Sequence, residues 1–232
     1  MSNHKYLISM LLMFACCLTA TADHFTIGPE AGYEHAAYHA CEKGVDASGG
    51  NGFRVGVNAT YNITNGMFIQ SGLYYSMING GNLNNIAGKS HFPPFVSNVE
   101  IRRAEYLTFP LSIGYEISLP HNFAVGINAG GYIAGGIGDG STYFRLTDNE
   151  GNGGALFGKT EFTHYVEESN SREPVTINKS GRVDAGILLG ANVRFKDLEL
   201  KAFYQLGLNK TIYDFAIPRT CGLALAYNFR LK

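Results

Sequence analysis

Three side chains near the start of the chain, His35, His39 and Cys41, stand at a spacing, H-x3-H-x-C, that suits a transition metal. Structural zinc sites use four such ligands in recognisable pairs, and no second pair follows. The segment therefore reads as a surface loop with two histidines and a thiol, and no metal is expected. Gly136-Ile137-Gly138-Asp139-Gly140 is glycine-rich in the manner of a phosphate loop. A phosphate loop also needs a following helix, which the pattern does not offer. Of the seven histidines, none falls within a segment of strand-like alternation, so a nucleophile–histidine pair set into strands is hard to build. No catalytic residue and no cofactor are expected.

Eight charged residues share a more instructive property. Glu30, Arg54, Glu116, Asp184, Arg194, Glu199, Lys201 and Arg230 each sit on the less apolar face of an alternating segment. Four acids balance four bases. Asp184 and Glu199 with Arg194 and Lys201 can be drawn as a proton relay, but charges withdrawn from water usually pair for structural reasons, and that reading is preferred.

Period-2 alternation dominates the chain after residue 23, in eight segments of about 9–13 residues, the length of tilted bilayer-crossing strands. Phe53, Val55, Val57, Ala59 and Tyr61 oppose Arg54, Gly56, Asn58, Thr60 and Asn62; Leu198, Leu200, Ala202, Tyr204 and Leu206 oppose Glu199, Lys201, Phe203, Gln205 and Gly207. Short turns follow segments two, four and six, at Ile63 to Gly66, Leu119 to Asn122 and Lys196-Asp197. Long connections follow the others, at 35–51, 78–103, 135–180 and 210–219. This asymmetry predicts an all-β fold: an eight-stranded antiparallel up-and-down transmembrane β-barrel with short periplasmic turns and long extracellular loops. A lipocalin-type barrel would be apolar within and polar without, the reverse of these faces; it and a two-sheet sandwich are the alternatives. Composition agrees, with 29 Gly, 15 Phe and 14 Tyr in 232 residues. The formal net charge of −1 gives no reason to expect nucleic acid as a partner.

Residues 1–22 read as a signal peptide, with Lys5 as the positive region, Tyr6 to Ala20 as the apolar stretch and Ala20-Thr21-Ala22 as the cleavage site. Acylation at Cys16 or Cys17 is the alternative, disfavoured by bulky Phe14. Residues 23–232 form the barrel domain. Closure makes the first and last strands neighbours, which sets Cys41 and Cys221 as disulfide candidates in an oxidising compartment. The alternative is that Cys221 faces lipid and Cys41 stays free.

Glu105 to Tyr115, EYLTFPLSIGY, resembles the "YLxIPLLxKY"-type strand of the PorT-like outer-membrane β-barrel family, through Tyr106, Leu107, Pro110 and Leu111. Phe109 and Gly114 depart from the pattern. Gly52-Phe53-Arg54-Val55-Gly56 looks like that family's "GFxxG" strand, and Ala226-Tyr227-Asn228-Phe229 like its closing strand. The resemblance implies a small barrel of the OmpA/OmpX-like kind in the outer membrane of a Gram-negative bacterium. It also implies recognition of the C-terminal strand by barrel-assembly machinery. The partners expected are therefore outer-membrane lipid, that machinery, and an extracellular ligand or protein of unknown identity. The function expected is non-enzymatic and loop-mediated, or structural in the envelope. Residues 135–180, with Tyr143, Phe144, Phe157, Phe162 and Tyr165, are the longest loop. An enzyme acting on lipid or peptide at the barrel rim and a periplasmic ligand-binding barrel are the alternatives.

Overall fold

A computed structural model describes residues 24–41, 43–64, 66–85, 96–137, 141–146, 151–154, 161–163, 174–176, 183–209 and 216–230. The signal-peptide reading thus lies outside the described residues.

Eight long strands carry the architecture: β1 Phe25–Ala40, β2 Gly50–Thr64, β3 Met67–Asn79, β4 Val96–Leu119, β5 Phe123–Gly136, β6 Val183–Phe195, β7 Leu198–Gly207 and β8 Ala216–Tyr227. Each pairs antiparallel with the next, and β8 returns to pair with β1. The sheet is a closed eight-stranded barrel.

The register fixes its shape. Starting at Thr26, the pairing runs through Thr60, Gln70, Ser112, Gly130, Leu188, Gln205 and Thr220, and re-enters β1 at Ala36. The stagger around the barrel is therefore ten residues. With ~3.4 Å per residue and ~4.8 Å between strands, this gives a tilt of about 42°. Each residue then climbs roughly 2.5 Å along the axis, so about ten residues cross the ~25 Å apolar band of an outer membrane.

The outer wall is apolar throughout. Leu111 is 56% exposed, Ile127 69% and Leu225 49%, with aliphatic and aromatic side chains of every strand beside them. In water such a surface would aggregate; it excludes the lipocalin and sandwich alternatives and suits lipid. Aromatic pairs stand at the short-turn end, Phe123 with Phe195 at 4.7 Å and Tyr227 with Phe229 at 4.9 Å between ring centroids. Another, Phe53 with Tyr75 at 6.3 Å, lies toward the other end. The short turns are tied together: Lys196 N–H donates to Asn122 C=O at 3.1 Å and Asn228 N–H to Asp197 C=O at 2.7 Å.

Inside, large rings lie against glycines of adjoining strands. A Cβ at Gly186 would stand 2.7 Å from the Tyr132 ring, and one at Gly56 equally close to Tyr74. Phe203 covers Gly222 and Phe68 covers Gly114 in the same way. Glycine is needed here for close approach, which accounts for much of its abundance: in so narrow a barrel each ring requires a neighbour with no side chain.

The strands run further at the long-loop end than the alternation predicts. β1 continues past Tyr33 to Ala40, and β4 begins at Val96. His35 and His39 therefore stand in a strand, which corrects the placement of both in a loop. Toward that end the two faces still alternate but their polarity changes, with Ala36 and Tyr38 inward and His35 and His39 outward, and pairing with neighbouring strands holds these residues extended regardless of polarity. The outer part of β4 also anchors a small sheet. Asn82–Asn84 pairs on one side, followed by Asp46–Ser48; Ser141–Leu146 pairs on the other, followed by Gly151–Gly154.

Candidate functional site

The inward side chains form three levels. Nearest the short turns, Arg194 pairs with Glu116, whose carboxylate also accepts from Asn192 Nδ2 at 3.4 Å. Asn228 Nδ2 donates to Glu199 at 2.8 Å. At the middle level Glu30 is fully enclosed: Oε1 accepts from Arg54 at 2.5 Å, and Oε2 from Lys201 at 2.9 Å and the Tyr74 hydroxyl at 3.1 Å. Lys201 also reaches Glu199 at 3.6 Å, joining the two levels. The Arg54 guanidinium is held between the Tyr74 and Phe203 rings, 4.0 Å from each centroid. Cation–π contact with two rings offsets part of the cost of burying that charge.

At the level nearest the long loops, Asp184 Oδ2 accepts from the Tyr132 hydroxyl at 2.7 Å, and Glu34 Oε2 from Ser76 Oγ at 3.3 Å. No basic side chain lines the cavity here among the described residues.

The structure thus brings together Glu30, Arg54, Lys201 and Glu199, sets Glu116 with Arg194, and leaves Asp184 apart. Arg230 does not join them. It is exposed at the short-turn mouth, where Phe229–Arg230 still pairs with Ile27 and Thr26 of β1 but the lumen opens into the wide recess there. The fourfold balance of acids and bases is corrected accordingly. So is the proton relay, since Asp184, Glu199, Arg194 and Lys201 are divided among three places. Glu34 was missed because alternation was followed only to Tyr33. Continuing it from Glu30 through Gly32 finds this residue.

The cysteine bridge is also corrected. Both thiols are free and exposed. Cys221 is in register with His35, and Ala216 with Ala40. Cys221 therefore lies five residues down β8 from the level where Cys41 leaves β1, roughly 17 Å along the strand. A disulfide requires Cα atoms within about 7 Å. The H-x3-H-x-C spacing fares no better: within β1, His35 and His39 stand four residues, about 13 Å, apart. No group of three or more His, Cys, Asp or Glu able to hold a metal occurs among the described residues. Gly136 ends β5, and Gly138 to Gly140 lie outside the described residues.

Three lumen cavities separate these levels, of about 30, 30 and 20 Å³, each room for one or two waters. A wider recess of about 620 Å³ opens at the short-turn mouth, lined by His121, Arg194, Lys196, Asp197 and Arg230 among others. The described lumen is packed rather than hollow.

The model of the outer membrane protein beta-barrel domain family matches residues 22–213, most of the chain. The chain belongs to that family. This outer-membrane barrel protein closes with β8, which lies beyond the matched residues. No curated protein matches it. Among solved structures it is similar to Neisserial surface protein A, at 12% identity and a TM-score of 0.42, covering 90% of this chain and 97% of that one. It is similar to the outer membrane protein OprG from Pseudomonas aeruginosa at 8% and 0.44, covering 90% and 97%. Ail, the attachment invasion locus protein of Yersinia pestis, matches at 11% and 0.40, covering 88% and 98%. At these values the likenesses add nothing to the family match and the closed register.

Proposed function

We propose that this outer-membrane barrel is non-enzymatic and acts through its extracellular portion, as a binding or envelope-structural protein. The observation that carries the reading is the sheet built on the outer part of β4. Four short strands extend the barrel wall beyond the apolar band, and their outer members, Asp46–Ser48 and Gly151–Gly154, have unpaired edges among the described residues. Backbone groups at such edges can pair with an added strand. The packed lumen argues in the same direction, because cavities of 20–30 Å³ offer no path for a solute.

In this reading residues 1–22 are a cleaved signal peptide, the long loops face outside, and outer-membrane lipid surrounds the barrel. Assembly machinery reads the closing strand through Tyr227 and Phe229. The PorT-like pattern falls on β4, where Pro110 faces the lumen and Leu111 faces lipid; it supports membership of that finer group.

Complementation tests the proposal. The gene is deleted, envelope sensitivity to detergent and bile salts is scored, and the strain receives either the full chain or a variant with 138–181 replaced by a short Gly-Ser turn. Heat-modifiable gel mobility shows that the variant barrel still assembles. Rescue by the full chain alone is expected. Equal rescue by the assembled variant contradicts an extracellular role.

A further inference from the structure

The levels of the lumen differ in how their charges are balanced. Glu30 is met by Arg54 and Lys201, Glu199 by Lys201, and Glu116 by Arg194. The cavity nearest the long loops is lined by Glu34 and Asp184, with Tyr38, Ser76, Tyr106 and Tyr132 among its walls, and no Lys, Arg or His lines it among the described residues. Arg54, at the level below, is bonded to Glu30 and stacked on its two rings; its charge is felt at Glu34 without a hydrogen bond between them.

Both carboxylates are withdrawn from water, Glu34 at 2% exposure and Asp184 at 7%. Each spends one oxygen on a neighbouring hydroxyl, Ser76 and Tyr132 respectively. The other oxygens, Glu34 Oε1 and Asp184 Oδ1, are buried without a protein partner. Amides with an unpartnered oxygen also occur in the lumen, at Asn58, Asn128, Asn192 and Asn228, and a neutral water would suffice for those. A carboxylate in the same position, once ionised, needs positive charge as well, since an uncompensated buried ion costs several kcal/mol.

We propose that this outer cavity binds a hard cation, an alkali or alkaline-earth ion, held by oxygen atoms and offsetting the negative charge of Glu34 and Asp184. The donors within reach of the cavity are carboxylate, phenol and aliphatic hydroxyl oxygens, together with the Gln205 amide. Oxygen donors without nitrogen or sulfur select hard ions over zinc or copper. The volume of about 30 Å³ accommodates one ion with a water, not a full hydration shell. The ion enters from the long-loop side, because the middle level is closed by the Arg54 stack.

The experiment uses the full barrel in detergent at pH 8, at fixed ionic strength, in the chlorides of Na⁺, K⁺, Mg²⁺ or Ca²⁺. Tetramethylammonium chloride serves as the reference whose cation is too large for the cavity. The readout is the temperature at which the folded gel band converts to the unfolded one. At least one small cation is expected to raise this midpoint by several degrees over the reference, and its identity names the ion. The double variant Glu34→Gln, Asp184→Asn is expected to lose that rise. Glu116→Gln, at the opposite level, keeps it. Equilibrium dialysis of the unaltered protein against the same ion is expected to give about one ion per chain, displaced at pH 4. The dialysis decides the matter even where the double variant does not fold. An identical midpoint in all five salts with no bound ion would overturn the proposal. Retention of the rise by the folded double variant would overturn it as well, placing the ion elsewhere.

Discussion

At the residue scale the lumen is held by a few side chains whose partners cannot be exchanged. Glu30 neutralises both Arg54 and Lys201 with no water between them. Replacing Glu30 with Gln leaves two buried cations sharing the charge of Glu199 alone. Breaking a buried pair costs about 3–5 kcal/mol, so Glu30→Gln is expected to lower the denaturant midpoint sharply. Glu116→Gln breaks only a pair that is partly solvated near the mouth, and it is expected to cost far less. Unfolding in urea, followed by tyrosine fluorescence, compares the two; equal losses would contradict the layered account. Much of this network was legible in the sequence, since Glu30, Arg54, Glu199 and Lys201 all fall on the polar face of alternating segments. Which acid meets which base was not, because the pairing depends on the ten-residue stagger, and stagger is set by closure rather than by any one strand. Arg230 shows the same limit: its parity places it inward, but parity cannot tell that it stands at the open mouth, exposed to water.

At the element scale the strands follow the alternation wherever lipid imposes it and depart from it above. β4 is the most informative. Leu107, Phe109, Leu111, Ile113, Tyr115, Ile117 and Leu119 all face outward, and that half of the strand was readable. Its outer half, from Val96, is held by pairing to Asn82–Asn84 and Ser141–Leu146, which no local pattern announces. Depth on β4 gives a direct test. Leu111→Arg, near the middle of the apolar band, is expected to lose about 2–4 kcal/mol, whereas Leu119→Arg at the short-turn boundary loses about 0–1 kcal/mol. Refolding into vesicles and measuring stability in guanidinium separates them; equal costs would mean that the band is misplaced. Pro110 supplies a second test. The β3–β4 pairing passes from Ser71–Leu111 to Tyr74–Thr108 without the two intervening rungs, while β4–β5 pairing is continuous. Proline has no N–H to donate, and Ser71 Oγ instead caps the Pro110 carbonyl at 2.8 Å. The group left without a donor is a β3 carbonyl, so Pro110→Ala, which restores an N–H facing it, is expected to close the gap and add about 1 kcal/mol of stability in guanidinium. A loss of stability in that variant would show that the missing rung is not what the proline costs.

At the scale of the whole molecule, closure fixes everything that the fold contributes to function. An open edge would leave backbone groups bare in lipid. Eight strands with a stagger of ten satisfy them, and the described lumen is packed, which is why the proposed function is sought at the ends. Free thiols make those ends addressable, because Cys41 stands at one of them and Cys221 can be removed. Cys41 is exposed at the outer end of β1, and Lys196 lies in the short turn between β6 and β7 at the opposite end. The measurement that tests the account most directly is labelling of intact cells with a membrane-impermeant maleimide. One strain carries Cys221→Ser, leaving Cys41 as the mature chain's thiol; the other carries Cys41→Ser, Cys221→Ser and Lys196→Cys. The account predicts that Cys41 is labelled on intact cells and that the thiol at position 196 reacts only after the outer membrane is permeabilised. Labelling at position 196 on intact cells, with Cys41 protected until permeabilisation, would contradict it.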